Sequence, residues 1–404
     1  MMLKIAFRNV FRQKRRSLLT ALTMFGGFTL SAVSIGWSDG TYNRMIDLFT
    51  RNRLGHIQIH ESDYLDRASL YKTIDGYRQW GDTLMQISGV EHWAPRIFSA
   101  GLASAGEKSA AVRIHGVHPE LEDRTTRFHK KITQGRMFDG NQSREAVLGS
   151  GLSDILNASV GDTLVLLTQA ADGSMANDLF PVVGILESGE TMSDMSALYM
   201  PLGTAQSFLV LPDQVHEIAI IVHDLNDADK ILTRIRSVLS GTELRAASWK
   251  EFAKSFYQAM RADKEGMWIM IVVIMLIVAV GVLNTVLMSV LERTREYGML
   301  KAVGTRPREI FMQVILEVQV LILFSLILGT VLSLIANTLL SIHGISLPQS
   351  FTYGGVEFKN MVAEVNVRSF TLSGITVVLA ATLISVFPAW RAARIDPAKA
   401  MRMT

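Results

Sequence analysis

The hydrophobic pattern of the chain is dominated by four stretches that contain no Asp, Glu, Lys or Arg. A bilayer core about 30 Å thick is crossed by about 20 apolar residues in a helix, and each stretch reaches that length. The pattern therefore predicts four transmembrane helices, one before and three after a long polar segment. The four apolar runs are Leu18–Trp37, Gly266–Leu291, Val318–Ile342 and Ser369–Trp390.

The segment before the first run, residues 1–17, mixes apolar and basic positions at helical spacing. This predicts an amphipathic helix on the membrane surface, and the alternative is a plain positively charged anchor for the first span. The first run is longer than the apolar part of a cleaved signal peptide, so we interpret it as an uncleaved signal anchor. The apolar positions are Leu3, Ala6, Phe7, Val10 and Phe11, opposite Lys4, Arg8 and Arg12.

Basic residues cluster in short segments beside the predicted spans. The N-terminal segment, residues 292–309 and the tail 391–404 are rich in Lys and Arg, whereas residues 343–368 hold only two. Because cytoplasmic segments carry this excess, we expect both termini and residues 292–309 in the cytoplasm of a cell with an inner membrane. Residues 38–265 then lie outside. The net charge of +3 conceals this split, because the basic excess lies in the segments beside the membrane, where it is drawn to anionic lipid, so nucleic-acid binding is disfavoured.

Residues 38–265 change to a period near two with frequent turn signals, which predicts an α+β domain. A helical stripe leaves the first span at Tyr42–Phe49 and another enters the second at Trp249–Met260. These two stalk helices either pair with each other or each pack on the domain. The predicted strands are His56–His60, Ala110–His115, Thr163–Thr168, Phe180–Leu186 and Glu217–Val222, and Asn226–Leu239 reads as a helix with Asn226 as its N-cap.

One turn in this domain predicts an exposed hairpin. Ala171-Asp172-Gly173-Ser174 carries strong turn chemistry between two predicted strands. Its exposed apolar residues would be Met175 and Leu179.

Motifs for catalysis and metal binding are weak. Gly101–Ser109 lacks the order of a phosphate-binding loop, since Glu107 separates the second glycine from the lysine, so a hairpin is expected there. His56 and His60 would lie about 13 Å apart on a strand, too far to share a metal. The chain has no cysteine and hence no thiolate ligand. We expect no catalytic residue, metal or cofactor in this chain.

Glu317 is an acidic residue beside the third apolar run, and ionisable residues at membrane depth are functional candidates. It lies about 10 Å along the helix from Ile310, so it can reach the cytoplasmic interface. We expect it to pair with a partner or to orient its helix, in preference to conducting ions.

The strongest signal is the segment between the second and third runs, residues 292–310. It predicts a short cytoplasmic helix in which Met299, Leu300 and Val303 form one apolar patch. Gly304 can end this helix in a left-handed conformation, and Pro307 suits the start of the next. An exposed apolar patch on a short loop indicates a partner surface, and a loop lying on the membrane is the alternative.

This segment, with its Glu-Arg-x-x-Glu-x-Gly-x-Leu-x-Ala-x-Gly core, resembles the coupling segment of MacB/FtsX-type permeases of ABC systems. Other matching features occur in the same order: Gly135-Arg136 before Glu145–Gly149, Val160-Gly-Asp162, and the ending Pro388–Ala400. The arrangement of one plus three spans agrees with this resemblance. In layout the chain is most similar to the LolC/LolE branch, which extracts lipoproteins.

The resemblance implies a subunit that binds no cofactor itself and docks on separate ABC ATPase subunits, which hold ATP and Mg. It also implies a second permease, as a homodimer or a paralogous heterodimer, and a lipoprotein or a periplasmic carrier as partner at the Ala170–Leu179 tip. The positions that match the family's coupling motif are Glu296, Gly298, Met299, Leu300, Ala302, Val303 and Gly304.

Three functions follow as hypotheses. The first is ATP-driven extraction or export of lipoproteins or other amphiphiles. The second is mechanotransmission that regulates an envelope enzyme without transport, and the third is an efflux permease. Small residues spaced by four in the first span, Gly27 with Ser31 and Ala32 with Gly36, could pack a dimer.

The expected order of segments follows from these arguments. It comprises an amphipathic helix (1–17), spans at 18–37, 266–291, 310–342 and 369–390, a periplasmic α+β domain with stalks (38–265), a coupling loop (292–309), a periplasmic loop (343–368) and a cytoplasmic tail (391–404).

Overall fold

The structure is a computed structural model that describes residues 2–12, 14–353 and 356–400. These residues form two compact units. The helical unit takes the described residues of Met1–Asn43, Met260–Pro348 and Asn360–Thr404, and the α/β unit takes those of Arg44–Ala259 and Gln349–Lys359.

The helices are α1 Met2–Arg12, α2 Lys14–Phe49, α3 Tyr77–Met85, α4 Pro119–Thr126, α5 Ser150–Leu156, α6 Thr191–Asp194, α7 Leu202–Phe208, α8 Ala228–Val238, α9 Trp249–Phe252, α10 Lys254–Glu292, α11 Thr294–Ala302, α12 Pro307–His343, α13 Val367–Ala393 and α14 Pro397–Ala400. A π-helical turn, Thr50–Leu54, follows α2, and 3₁₀ turns lie at Phe128–Lys131 and Leu225–Asp227.

The strands are β1 Ile57–Glu61, β2 Ile74–Asp75, β3 Val90–Ala105, β4 Lys108–Val117, β5 Ile132–Gly135, β6 Ala146–Gly149, β7 Thr163–Gln169, β8 Met175–Leu186, β9 Ala197–Pro201, β10 Gln214–Val215, β11 Glu217–Val222, β12 Leu244–Ser248, β13 Ile345–Tyr353 and β14 Val356–Met361. The connection 343–368, expected as a loop, therefore carries two paired strands.

The α/β unit is built on a ring of six strands. Pairing runs β3–β4–β9–β6–β8–β7 and returns from β7 to β3. The first half of the long strand β3 also pairs with β11, which extends the sheet through β1 to β12. Closing the ring leaves its six strands without a free edge, and the sheet ends instead at β12 and at β5, which pairs with β8. Its interior is filled by fully buried side chains, among them Ile114, Leu148, Leu166, Phe180 and Leu198.

The predicted α+β class and all five predicted strands are confirmed within a few residues at their ends. Gly101–Ser109 lies at the tip of the β3–β4 hairpin, as expected, with Ala105 opposite Lys108 and the turn at Gly106 and Glu107. The N-cap prediction is wrong. Asp224 accepts the backbone N–H of Asn226 and caps a 3₁₀ turn, so α8 begins only at Ala228. Asp224 and Asn226 are both good capping residues, and sequence alone does not rank them.

Four helices of the described chain are long and apolar enough to cross a membrane: α2, α10, α12 and α13. Each extends beyond its apolar run, which is consistent with the stalk stripes read from the sequence. The rings of Phe49, at the end of α2, and Phe256, near the start of α10, stack with their centroids 4.1 Å apart. The two stalks therefore pair, and Phe256 also contacts Trp249.

Small residues of the first span are used inside the helical unit. A Cβ on Gly27 would overlap Val278 of α10, and one on Gly36 would lie 2.5 Å from the side chain of Asn337 in α12. Ser31 hydrogen-bonds Ser373 of α13 at 3.0 Å. The expectation that these residues pack a dimer is corrected, because neighbouring helices of the same chain occupy their faces.

Candidate functional site

The short helix α11 has one face that is buried against the protein and one face that is exposed. Tyr297 is fully buried and Gly298 is buried beside it. On the other side Met299 is 49% exposed and Val303 is 88% exposed, with Leu300 and Ala302 also exposed. A cluster of large exposed apolar side chains on one turn of helix is a candidate contact surface for a partner.

The end of α11 is fixed by its backbone. Gly304 has a φ of 101°, which only glycine adopts readily. The N–H of Gly304 donates to Lys301 O and that of Thr305 donates to Leu300 O, both at 3.0 Å. This pair of bonds is a Schellman ending, and α12 then starts with Pro307 in its first turn. The apolar patch therefore lies on a short helix whose C-terminal end is fixed by hydrogen bonds.

The tail of the chain packs under α11. A Cβ on Gly298 would lie 2.6 Å from the Cβ of Ala400 in α14. Lys301 Nζ donates to the carbonyl oxygens of Ala393 at 3.2 Å and Ile395 at 2.7 Å, at the end of α13. These contacts join α11 to the fourth long helix. Cations near the last carbonyls of a helix also suit its dipole.

An ion-pair network holds the start of α11. Arg293 donates through Nη1 to Glu317 Oε2 at 2.8 Å and through Nε to Glu296 Oε2 at 2.9 Å. Asn9 of α1 donates to the other oxygen of Glu317 at 2.7 Å, and Arg12 donates to Glu296 at 2.8 Å. Burial alone would lower the pKa of Arg293, but the carboxylate of Glu317 more than offsets it, so the pKa is raised and the guanidinium stays charged.

The seven motif positions thus separate into two groups. Met299, Leu300, Ala302 and Val303 lie on the exposed side, and Gly304 makes the turn. Glu296 and Gly298 instead face the protein and fix the helix in place.

Sequence reasoning found the helix but missed the residues that hold it. Asn9, Arg12, Arg293 and Lys301 all bond to side chains or carbonyls across the fold. Arg12, Arg293 and Lys301 are cations in segments whose basic residues were interpreted as an excess of positive charge beside the membrane. Only the spacing of Asn9 among the apolar positions of α1 could have marked it as inward-facing.

The α/β unit contains a second buried charge cluster. Arg96 donates to Glu122 at 2.7 and 2.9 Å and to Glu217 at 2.7 Å, with all three side chains buried. Burial lowers the pKa of Arg96, and the two carboxylates outweigh this and raise it. The cluster ties β3, α4 and β11 together. All three guanidinium nitrogens of this arginine donate to the two carboxylates, which is typical of a structural role.

Histidines singled out in the sequence serve as hydrogen-bonding groups of the core. His56 Nδ1 accepts the N–H of Val222 at 3.1 Å, and His60 lies 3.0 Å from the carbonyl of His216 and 3.1 Å from Gln58 Oε1. Within the described residues no group of three or more His, Asp or Glu side chains is arranged to hold a metal ion.

The predicted hairpin tip joins β7 to β8, with Gln169 opposite Met175 and Val165 opposite Leu179. Met175 and Leu179 are exposed, and so are Val165 and Leu102 on the adjoining strands. Val165 and Leu179 are directly paired, and Leu102 pairs with Leu167 two residues along β7, so these side chains share one outer face of the ring. The tip thus continues into a wider apolar face.

Residues 17–238 match the model of the MacB-like periplasmic core domain, and residues 268–397 match the FtsX-like permease C-terminal model. The lipoprotein-releasing system transmembrane protein LolC of Neisseria meningitidis serogroup B is 20% identical, with 98% of each chain covered. The macrolide export ATP-binding/permease protein MacB of Campylobacter jejuni is 24% identical over 98% of this chain and 60% of its own length.

Among solved structures, the periplasmic region of MacB from Actinobacillus actinomycetemcomitans is similar at 18% identity and a TM-score of 0.36, covering 49% of this chain and 91% of that one.

Four membrane-length helices with an α/β unit inserted after the first, together with the matches to the FtsX-like permease model and to LolC, identify a permease of the MacB/FtsX/LolC class of ABC transporters, a multi-pass inner-membrane protein with a periplasmic domain. The chain belongs to the family of the MacB-like periplasmic core domain.

Proposed function

We propose that this permease couples ATP hydrolysis in a separate ABC ATPase to a conformational change in its periplasmic domain, and that α11 is the docking element. The observation that carries this is the contrast across α11. Met299, Leu300 and Val303 are open, while Tyr297 and Gly298 are buried. An exposed apolar patch on a helix whose opposite face is buried against the protein suits insertion into a groove of a partner.

In this proposal α11, both termini and the α12 start face the cytoplasm. ATP-driven closure of the ATPases displaces α11, which is continuous with α10 through Arg293 and with α12 through Gly304 and Thr305. Helix α10 runs without interruption from Lys254 to Glu292, so a shift at its cytoplasmic end moves the stalk at its other end. ATP and Mg are bound by the ATPase and not by this chain.

The substrate class we propose is a lipoprotein or another amphiphile taken from the outer leaflet. Support comes from the relative named as part of a lipoprotein-releasing system, which matches over almost all of both chains. A second permease, either another copy or a paralogue, completes the membrane part, and membrane lipid surrounds it. The exposed tip at Met175 and Leu179 then contacts a periplasmic carrier or the lipoprotein itself.

The docking proposal is tested by co-expressing the full chain with stand-alone ABC ATPases of the same genome and purifying the complex in lipid nanodiscs. We expect copurification and ATP turnover that responds to substrate. The double variant Met299→Asp/Leu300→Asp should lose both, since two desolvated charges would oppose a dry contact. Arg308→Asp, an exposed change in the first turn of α12, is the matched control and should retain both. Undiminished coupling in the double variant would exclude α11 as the docking element.

Efflux is the second candidate, favoured by the match to a macrolide export protein over 98% of this chain. The two functions differ in what accelerates ATP turnover by the reconstituted complex. A triacylated lipoprotein should do so under the first proposal and a macrolide under the second.

A further inference from the structure

Glu317 bonds two elements that are far apart in the sequence. One of its oxygens accepts the side-chain N–H of Asn9 in α1, and both accept from Arg293 at the start of α11. A single carboxylate on α12 therefore fixes the position of the N-terminal helix relative to the proposed docking helix.

These bonds are shielded from solvent. The side chains of Arg293 and Glu317 are 9% and 14% exposed, whereas Arg12, which bridges to Glu296 nearby, is 71% exposed. Exposed ion pairs contribute little, but removing one partner of a buried pair leaves an uncompensated charge. The Asn9–Glu317–Arg293 chain is therefore the stronger connection, and the Arg12–Glu296 pair supplements it.

Helix α1 is also packed as part of the helical unit. Ala6 and Val10, on the same face as Asn9, are buried, and the ring of Phe7 lies 6.0 Å from that of Phe324 in α12. The next helix is tied in the same way, since Arg16 at the start of α2 pairs with Glu292 at the end of α10. An anchor that only lay on lipid would need none of these bonds.

We propose that α1 is a second coupling element: Glu317 locks Asn9 and Arg293 together, so that α1 and α11 move as one body and pass the motion to α2. This rests on the proposed docking role of α11. Asn9, Arg293 and Glu317 act as positioning residues: Arg293 and Glu317 hold the docking helix, Asn9 fixes α1 to it, and none of them need touch the ATPase.

The test uses the full chain in nanodiscs, spin-labelled at Arg8→Cys in α1 and Arg295→Cys in α11. Both positions are exposed, and the chain has no native cysteine to remove. Electron–electron distance measurements are made on the chain alone and on its complex with the partner ATPase, with and without ATP and vanadate. The variants are Asn9→Leu, which removes the donor, and Asn9→Gln, which keeps it.

With Asn9 or Gln at position 9 we expect one narrow distance that is the same in both nucleotide states. With Leu we expect a broadened distance and a loss of substrate-stimulated turnover of about fivefold, a typical size for coupling between sites, with ATPase binding unchanged. A merely structural residue would change ATPase binding and ATP turnover together.

An α1–α11 distance that changes on nucleotide binding in the unsubstituted chain, or full coupling in Asn9→Leu, would overturn the proposal. Absence of ATPase binding by the unsubstituted chain would instead reject the docking role, and the distances of the chain alone would still decide whether Glu317 locks the two helices.

Discussion

Gly298 lies against Ala400 so closely that a methyl group at position 298 would be 2.6 Å from the Cβ of the alanine. The two residues join the centre of α11 to the short helix α14 of the tail. Lys301, one turn further along α11, secures the same region through the carbonyls of Ala393 and Ile395. The tail therefore covers the face of α11 opposite its exposed apolar patch. A substitution that disturbs this contact should change the tail.

Replacing Gly298 by Leu should displace α14, because the added side chain would need the space of Ala400. Hydrogen–deuterium exchange of the segment 394–400 measures this, and we expect faster exchange there than in the unsubstituted chain. Ala302→Leu is the control, since Ala302 is exposed on the same helix. Equal exchange in both variants would mean that the tail does not depend on Gly298.

Gly27→Leu should destabilise the helical unit by about 1 to 3 kcal/mol, the usual cost of overpacking. A Cβ at this position would collide with Val278. Gly26 offers a matched control, because no atom lies within 4 Å of a Cβ built there. Thermal unfolding in detergent, followed by size-exclusion chromatography, should show a lower unfolding midpoint for Gly27→Leu and an unchanged midpoint for Gly26→Leu. The same loss in both variants would mean that the contact with Val278 is not the cause.

Charging the hairpin tip should leave folding intact. Met175 and Leu179 are exposed, and substitutions at such sites usually change stability by less than about 0.5 kcal/mol. We therefore expect Met175→Glu/Leu179→Glu to keep its unfolding midpoint and its ATP turnover without substrate. Release of a lipoprotein to a periplasmic carrier, measured in proteoliposomes, should fall. Unimpaired release would remove the tip from the proposed pathway.

Acid should destabilise the α/β unit through its buried histidines. Burial lowers the pKa of His56 to about 4, and it lowers the pKa of His216 as well. Both accept a backbone N–H through Nδ1, from Val222 and Phe98, so protonation breaks a hydrogen bond. The unfolded chain, with an ordinary pKa near 6.5, binds more protons below that value. Stability is therefore complete above about pH 6.5 and falls as the pH drops towards 4.

The measurement is the unfolding midpoint of the full chain between pH 7.5 and 4. His56→Asn keeps an acceptor near the Nδ1 position without titrating, so its midpoint should fall less steeply with acid. Each pKa unit corresponds to about 1.4 kcal/mol, which makes the difference for His56 a few kcal/mol at most. His223→Gln, at an exposed histidine, should follow the unsubstituted chain. Parallel curves for His56→Asn and the unsubstituted chain would contradict the assignment.

Much of the architecture could be predicted because its signals are local. Apolar runs longer than a bilayer, alternation along Glu217–Val222, and the glycine and proline that flank α11 each act within a few residues. The hairpin tip was predictable for the same reason, since Asp172 and Gly173 specify their own turn. The choice between Asp224 and Asn226 as the cap was not, because both residues satisfy the same local rule.

The sequence alone thus determined that this chain spans a membrane four times, carries an α+β domain after the first span, and presents a short helix with an apolar patch. Only the tertiary structure decided which residues hold that helix. Asn9 lies 308 positions before Glu317, and Arg293 lies 24 before it, so their contacts cannot be inferred from local sequence. Gly27 and Gly36 could each face any of several helices. Hydrophobic periodicity fixes which side of a helix is buried, but the partner across the interface depends on how the helices assemble.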